Sequence, residues 1–192
     1  DLKCKGFAIT MGNSNVGIQV NKIAEHKGLK CISIVRSEQR VEEMKKLGQK
    51  YVINSSSENF VQNLNKLMIE LECSAIFDAL SGPIAGQLLK ALPKYGTLVN
   101  FGTQTQEKMS GIDATDLRWG FKELKSFLVG AWIDKKITEK SFDVYKQYIN
   151  DHMEFFESEN GEIFKVDKLK EAVEYAEKKT DLLKVIIDMT NL

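Results

Sequence analysis

Residues 6–17, GFAITMGNSNVG, and residues 31–36, CISIVR, contain the pattern that decides the fold. In the first stretch a short apolar run ends in a glycine turn and continues into residues with helical spacing, and the second stretch is another apolar run. This alternation of strand-like and helix-like segments continues to residue 101. Strands that are apolar throughout and alternate with helices indicate a parallel sheet covered on both faces. Because crossovers are right-handed, the pattern favours an α/β fold with a doubly wound, six-stranded parallel sheet of the Rossmann type.

The periodicity divides the chain into a sheet domain, residues 1–136, and a C-terminal segment, residues 137–192. In the domain it predicts strands at residues 6–11, 31–35, 51–53, 74–80, 97–101 and 124–133, and helices at residues 16–27, 38–47, 60–71 and 84–92. Ser37 is expected to cap the second helix, and Gly48 to end it. Polar residues 104–113 predict a mobile surface loop. The C-terminal segment is predicted to contain a long helix at residues 137–156, a strand at residues 163–166, a helix capped by Asp167, and a last strand at residues 182–189.

Composition and cysteine usage narrow the class of protein. The 192 residues are 43% hydrophobic, enough to bury a core, and 27 basic residues balance 27 acidic ones. This balance gives no reason to expect a nucleic acid or an anionic membrane as partner, and no apolar run approaches the ~20 residues of a membrane span. Cys4, Cys31 and Cys73 lack disulfide or zinc spacing. We therefore expect buried, reduced thiols and a reducing intracellular compartment, either the mitochondrial matrix or the cytoplasm.

The turn after the first strand has the outline of a dinucleotide-binding motif. Gly12 and Gly17 occupy the outer positions of GxGxxG, while Ser14 replaces the middle glycine. Such a turn needs a tight bend, a close approach of the backbone to the pyrophosphate, and a small residue where the helix meets the sheet. The helix start at Asn15 and Val16 offers backbone N–H groups and a positive dipole end to a phosphate. An ordinary strand-to-helix turn is the alternative, and the flanking strand and helix favour the cofactor site.

The end of the second strand indicates which cofactor binds. An NAD site carries Asp or Glu about 20 residues after the turn, where it binds the ribose 2′-hydroxyl. Here Arg36 holds that position, followed by Ser37. A guanidinium offers a planar fork of donors to the 2′-phosphate of NADPH. The sequence therefore predicts NADPH, against the alternative of a solvated arginine at a strand end.

From Gly6 to Met189, almost its whole length, the chain resembles the cofactor-binding portion of the medium-chain dehydrogenase/reductase superfamily, in its zinc-free quinone-reductase and enoyl-thioester-reductase branch. The NSNVG turn at residues 13–17, followed by GLK at residues 28–30 and IVR at residues 34–36, is similar to that of the mitochondrial 2-enoyl-thioester reductases. LGQKYVI at residues 47–53 resembles LGAxxVI, with Gln49 in place of alanine. FDALSG at residues 77–82 resembles the DxVGG segment, with Ser81 in place of the first glycine.

The resemblance implies a set of cofactor contacts that surround the predicted cleft. It implies that the pyrophosphate lies against the turn, that the 2′-phosphate lies against the end of the second strand, and that segments after strands five and six line the nicotinamide side. A lysine on the last strand is also expected near the cofactor. The implied residues are Asn13, Ser14, Asn15, Val16 and Gly17, then Arg36 and Ser37, then Phe101, Gly102, Thr103 and Gln104, then Ala131, Trp132 and Ile133, and finally Lys184.

The resemblance also implies that a larger N-terminal catalytic domain is missing. The chain begins at Asp1 rather than Met, so we expect it to be processed or cut from something longer. Without that domain, residues 163–166 and 182–189 are expected to expose apolar surface. No residue has a catalytic or metal-binding assignment, and His26 and His152 are expected to be structural or exposed. The partners expected are a small-molecule substrate and either a second copy, paired through strand six, or the missing domain.

Three functional hypotheses remain open at this point. The leading one is a reductase that uses NADPH to reduce an activated double bond, in an enoyl thioester or a quinone-like enone. This chain would bind the cofactor and would be inactive alone. The second is a non-catalytic Rossmann module that acts as an interaction or assembly subunit, suggested by Ser14, Gln49 and Ser81. The third is a zinc-dependent dehydrogenase of simple alcohols, which the absence of a Cys/His cluster in the sequence disfavours.

Overall fold

The computed structural model describes residues 5–157, 160–179 and 184–190. Its main sheet has six strands in the order β3-β2-β1-β4-β5-β6, and every pair of neighbours is parallel. The chain moves outward from β1 to β3 and then returns to β4, which lies on the other side of β1. The doubly wound fold is therefore confirmed. The strands are β1 Gly6–Thr10, β2 Lys30–Val35, β3 Tyr51–Asn54, β4 Cys73–Asp78, β5 Thr97–Asn100 and β6 Glu123–Ser126.

Helices cover both faces of this sheet, and a smaller unit follows it. The helices are α1 Asn15–His26, α2 Glu38–Lys46, α3 Phe60–Glu70, α4 Ile84–Ala91, α5 Ala114–Gly120, α6 Val129–Thr138 and α7 Phe142–Asp151. A short 3-10 helix at Met153–Phe155 leads to β7 Asn160–Lys165, α8 Leu169–Lys179 and β8 Lys184–Asp188. β7 and β8 pair in parallel as a separate two-stranded sheet.

The core explains why the inner strands are apolar along most of their length. In β2, Ile32 and Ile34 pack into the cluster that α3 and α4 cover, whereas Cys31 and Val35 pack beneath α1 and α2. Successive residues of a strand point to opposite faces, so a strand covered on both sides has no polar face. Cys31 and Cys73 are buried and form no disulfide, as expected, and burial raises the pKa of the Cys31 thiol to about 12. Cys4 lies outside the described residues.

The predicted sixth strand at residues 124–133 is wrong in its second half. β6 ends at Ser126, where its pairing with β5 also ends, and α6 begins at Val129. The apolar positions Val129, Trp132 and Ile133 have helical spacing, which the sequence interpretation took as the end of one continuous apolar run. A strand of four residues therefore replaces one of ten.

The predicted long helix at residues 137–156 is also wrong. The chain reverses at Lys140, whose backbone is left-handed with φ 53°, so that α6 and α7 form two separate helices. The sequence analysis missed α5, whose first turn is capped by the Asp113 carboxylate through the backbone N–H of Thr115. Asp167 does not cap α8, because it lies within a short 3-10 turn, Val166–Lys168.

The predictions for the two ends of α2 are confirmed. The Ser37 hydroxyl caps α2 by accepting from the backbone N–H of Arg40, and Gly48 follows this helix with φ 86°. Residues 104–113 contain no helix or strand. This loop is nevertheless tied to α4 and to the turn before it, because Gly86 N–H donates to Ser110 O and Ser110 N–H donates to Gly82 O.

The C-terminal unit has the apolar surface expected of it. Ile163 on β7 and Met189 after β8 are both exposed, as is Val173 on α8. A two-stranded sheet with one helix has few neighbours against which to bury such side chains. The expectation of uncovered apolar surface is therefore confirmed at Ile163 and Met189, whereas Phe164 on β7 is buried.

Candidate functional site

The turn between β1 and α1 is built by backbone hydrogen bonds and one side-chain cap. Met11 is left-handed, with φ 53°, and its carbonyl accepts from Ser14 N–H at 2.8 Å. The Ser14 hydroxyl accepts from Gly17 N–H at 3.1 Å, so it caps α1. Within the described part of the chain, the N–H groups of Asn15 and Val16 donate to no protein acceptor. With serine in place of the middle glycine, the first turn of α1 thus gains a side-chain cap and keeps two N–H groups without a protein acceptor.

The two glycines of this turn allow contacts that a side chain would prevent. A Cβ on Gly12 would lie 2.4 Å from the Cβ of Ser33 on β2, and one on Gly17 would lie 2.5 Å from the Met11 carbonyl oxygen. Gly12 N–H donates across to Ile34 O at 3.1 Å. The turn therefore lies directly on β2, and α1 starts directly above the end of β1, as the motif requires.

Arg36 follows β2 and borders the same cleft. Its side chain is exposed, and among the described residues no carboxylate lies within ion-pair distance of it. Its backbone is fixed, because the Ser56 hydroxyl donates to Arg36 O at 2.8 Å. The first turn of α1 contains no acidic residue. Both features leave positive charge available for a phosphate.

These segments enclose a cleft of about 330 Å³ at the carboxyl edge of the sheet. It spans β1 and β4, where the direction of winding reverses, which is the usual ligand position in open α/β sheets. Arg36 is the one charged residue among the described residues that line it. These are Met11, Asn13, Ser14, Ile34, Val35, Arg36, Ser55, Leu80, Gln104 and Thr105.

The structure brings together part of the predicted site. Asn13, Ser14, Arg36 and Gln104 line the cleft. Other predicted residues lie in the segments that border it without lining it: Asn15, Val16 and Gly17 begin α1, Ser37 caps α2, and Phe101, Gly102 and Thr103 follow β5. Whether these residues contact a cofactor stays a prediction. Lys184 begins β8, and its side chain lies outside the described residues.

Ala131, Trp132 and Ile133 lie in α6, the helix that follows β6, rather than in a long sixth strand. Whether they contact a cofactor stays a prediction. Trp132 packs against α7, with its ring centroid 4.7 Å from that of Tyr145. Its position therefore indicates a packing role between two helices.

Sequence reasoning missed several residues of the cleft. Ser55 and Leu80 follow β3 and β4, and Thr105 lies just beyond predicted Gln104. The topology could have identified Ser55 and Leu80, because residues that directly follow parallel strands meet at one edge of the sheet. The predicted site drew its residues from the segments after strands one, two, five and six and from the last strand, so it contained none that follow β3 or β4.

Two further features lie outside this cleft. A second cleft of about 210 Å³ lies at the amino ends of β2 and β3, where Lys50 and Glu25 form an ion pair at 2.8 Å. His26 and His152, which sequence spacing left without partners, pack with their ring centroids 5.0 Å apart and join α1 to the end of α7. Both features are remote from the carboxyl ends of the strands.

Membrane and metal features can be stated for the described residues. Within residues 5–157, 160–179 and 184–190, no helix has the length and apolar character to cross a membrane. In the same ranges, no three His, Cys, Asp or Glu side chains are grouped closely enough to hold a metal ion.

Comparisons with known proteins agree with this geometry. A family profile described as "Zinc-binding dehydrogenase" matches residues 15–147. Over 140 residues, 69% of this chain, the sequence is 28% identical to a mitochondrial enoyl-acyl-carrier-protein reductase of Dictyostelium discoideum, and the match covers 39% of that enzyme.

Solved structures show the same fold. The crystal structure of Escherichia coli quinone oxidoreductase complexed with NADPH matches 95% of this chain and 56% of its own, with 18% identity and a TM-score of 0.72. A mutant form of the enoyl thioester reductase of Candida tropicalis matches 95% of this chain and 53% of its own, with 16% identity and a TM-score of 0.72. This chain thus spans about half the length, or less, of the proteins it resembles. It belongs to the zinc-binding dehydrogenase family, and it corresponds to the cofactor-binding portion of the medium-chain dehydrogenase/reductase superfamily.

Proposed function

We propose that the chain is the NADPH-binding portion of a reductase that acts on an activated carbon–carbon double bond, in an enoyl thioester or a quinone-like enone. The observation that carries this proposal is the cleft at the carboxyl edge of the sheet, which Arg36 lines together with Asn13 and Ser14, the two residues that precede α1. The names of the relatives support the substrate class, since they include enoyl reductases and a quinone oxidoreductase. The quinone oxidoreductase was solved with NADPH.

The residues present fit a phosphorylated dinucleotide. The free N–H groups of Asn15 and Val16 suit a pyrophosphate, and the guanidinium of Arg36 suits the 2′-phosphate. Ser55, which also lines the cleft, adds a hydroxyl. The proposed role of these residues is to bind and orient the cofactor, which supplies the hydride when bound. The substrate pocket is proposed to come from a catalytic domain outside this chain, so we expect the chain alone to bind NADPH without turnover.

The alternative of a non-catalytic module is not favoured. An occluded turn at residues 13–17 would have supported it, whereas Asn13 and Ser14 line an open cleft. The names of the mitochondrial relatives support a mitochondrial location for this protein, with the cytoplasm as the second candidate.

The substrate class is tested by following NADPH oxidation, with the protein purified in the form in which its cell produces it. We expect oxidation in the presence of an enoyl thioester such as crotonyl-CoA or of a small quinone, and no reduction of NADP⁺ by a simple alcohol. The 192-residue chain alone is the matched control, and we expect it to leave both acceptors unreduced. Reduction of NADP⁺ by a simple alcohol, with both acceptors left unreduced, would contradict the proposal.

We also propose that two copies pair through β6. All four residues of β6 are exposed, and β6 forms one edge of the main sheet. Because Glu123 N–H and Phe127 N–H donate to the β5 side, the alternate N–H groups of Leu124 and Ser126 point outward, free to pair with another strand. The apolar side chains of Leu124, Phe127 and Leu128 flank this edge and are exposed.

Light scattering after size exclusion tests the dimer. We expect the mass of two copies for the wild-type protein and of one copy for Leu124→Pro, which removes an outward donor without removing one that β5 uses. Val52→Pro makes the equivalent change on the opposite edge strand, β3, and should stay dimeric. A wild-type protein that is monomeric at high concentration would exclude the interface.

A further inference from the structure

A buried carboxylate lies directly beneath the proposed cofactor cleft. Asp78, the last residue of β4, is 0% exposed, and its neighbour Thr10, the last residue of β1, is 1% exposed. The two residues flank the point where the winding of the sheet reverses. A charged or polar group in such a position is stable only when its hydrogen bonds are made within the protein.

The hydrogen bonds of Asp78 join β1 to the turn that follows β4. The Thr10 hydroxyl donates to Asp78 Oδ1 at 3.1 Å and itself accepts from Ala79 N–H at 2.8 Å. Leu80 N–H donates to the same carboxylate oxygen at 2.9 Å, and Ser81 N–H donates to Oδ2 at 3.0 Å. This arrangement fixes Leu80, which lines the cleft, relative to the residue that precedes Met11, which also lines it.

The same chain of bonds continues to the segment after β5. Leu80 O accepts from Thr105 N–H at 3.1 Å and from the Thr105 hydroxyl at 2.9 Å. Asn100 Nδ2 donates to Asp78 O at 3.2 Å and to Gly102 O at 2.8 Å. Three walls of the cleft, which follow β1, β4 and β5, are thus connected through Asp78. The wall that carries Arg36 follows β2 and takes no part in these bonds.

From this arrangement we infer that Thr10 and Asp78 are positioning residues for the cofactor: they form a buried brace that holds three walls of the cleft in register with one another. This inference rests on the proposed NADPH-binding function. A ligand that spans the cleft needs all the walls in register, so it depends on the brace. A fragment that reaches Arg36 alone does not depend on it.

Thr10→Val tests the brace, because it removes the hydroxyl and keeps the shape of the side chain. It leaves Ala79 N–H and one site on Asp78 without their partner. Because substitutions that do not contact a ligand change its affinity by about two- to thirtyfold when they are coupled to its site, we expect NADPH to bind about two- to thirtyfold more weakly. Adenosine 2′-monophosphate, titrated by NMR, is expected to bind as it does to the wild type. Thr10→Ser keeps the hydroxyl and should restore NADPH binding.

Two further variants define the test. Thr97 is the first residue of β5, so it lies at the opposite end of that strand from the cleft. Thr97→Val removes its buried hydroxyl, which donates to Glu123 Oε2. This variant should bind NADPH normally. In Asp78→Asn, an NH₂ donor replaces one of the two acceptor oxygens. In one orientation of the amide it opposes the N–H of Leu80, and in the other it opposes the N–H of Ser81. If this variant folds, we expect a larger loss of NADPH affinity than in Thr10→Val.

The possible outcomes separate the two proposals. Equal weakening of NADPH and adenosine 2′-monophosphate by Thr10→Val would show a general loss of structure and would overturn the positioning role. Unchanged NADPH binding in Thr10→Val, or weakening of the same size in Thr97→Val, would overturn it as well. A wild-type protein that binds adenosine 2′-monophosphate and NADPH equally weakly would refute the proposed function itself, and the brace with it.

Discussion

Gly12→Ala is expected to abolish detectable cofactor binding and to lower the free energy of unfolding by about 1–3 kcal/mol, the usual range for overpacking. The added Cβ would lie 2.4 Å from Ser33 Cβ and 2.8 Å from Ser33 Cα, and neither can move without displacing β2. The turn must therefore lift away from β2 and weaken the hydrogen bond from Gly12 N–H to Ile34 O. Lifting the turn also displaces the N–H groups that start α1. Urea unfolding and NADPH calorimetry measure the two effects.

Gly130→Ala is the matched control for this substitution. Gly130 lies within α6, and an added Cβ there meets no atom within 4 Å. Alanine should leave cofactor binding unchanged and raise stability by roughly 0.5–1 kcal/mol, because it loses less backbone entropy than glycine in a helix. Wild-type stability and NADPH affinity in Gly12→Ala would show that the turn does not lie on β2 as described.

Arg36→Ala is expected to weaken NADPH binding by about 10- to 100-fold and to leave NADH binding nearly unchanged. The range corresponds to the ~1.5–3 kcal/mol of hydrogen bonds to a charged group. Arg36 is the one charged residue among the described residues lining the cleft, so no described neighbour can replace it on a 2′-phosphate. Arg36→Lys keeps the charge and loses the planar fork, and an intermediate affinity is expected.

The control for this variant is Arg118→Ala. Arg118 is an exposed arginine on α5 that does not line the cleft, so it tests whether overall charge alone determines NADPH affinity. We expect wild-type affinity for both cofactors. If Arg118→Ala and Arg36→Ala weaken NADPH binding alike, Arg36 has no specific role. If Arg36→Ala weakens NADH as much as NADPH, the contact is not with the 2′-phosphate.

The sheet could be predicted from the sequence because local patterns determine it. Each inner strand is a short apolar run, and caps such as Ser37 and Gly48 mark where the intervening helices begin and end. The glycine turn and Arg36 follow the first two strands directly. Their meeting at one edge therefore follows from the parallel topology alone.

The rest depends on contacts that the local sequence does not determine. The apolar run that contains Trp132 is compatible with a strand or a helix, and only the end of pairing with β5 at Ser126 decides between them. The reversal at Lys140 places a non-glycine residue in the left-handed region, which a propensity argument disfavours. The role of Asp78 could not be predicted, because neither of its partners can be identified from the local sequence. Thr10 lies 68 residues before Asp78, and Leu80 belongs to a turn whose geometry the sequence does not determine.

The central claim is that this chain holds an NADPH site at the carboxyl edge of its sheet. The most direct test is calorimetric titration of the wild-type chain with NADPH and, separately, with NADH. We predict binding of one equivalent of NADPH, about 10- to 100-fold tighter than NADH, as expected when a guanidinium holds the 2′-phosphate. Failure to bind either cofactor, or tighter binding of NADH, would contradict the account.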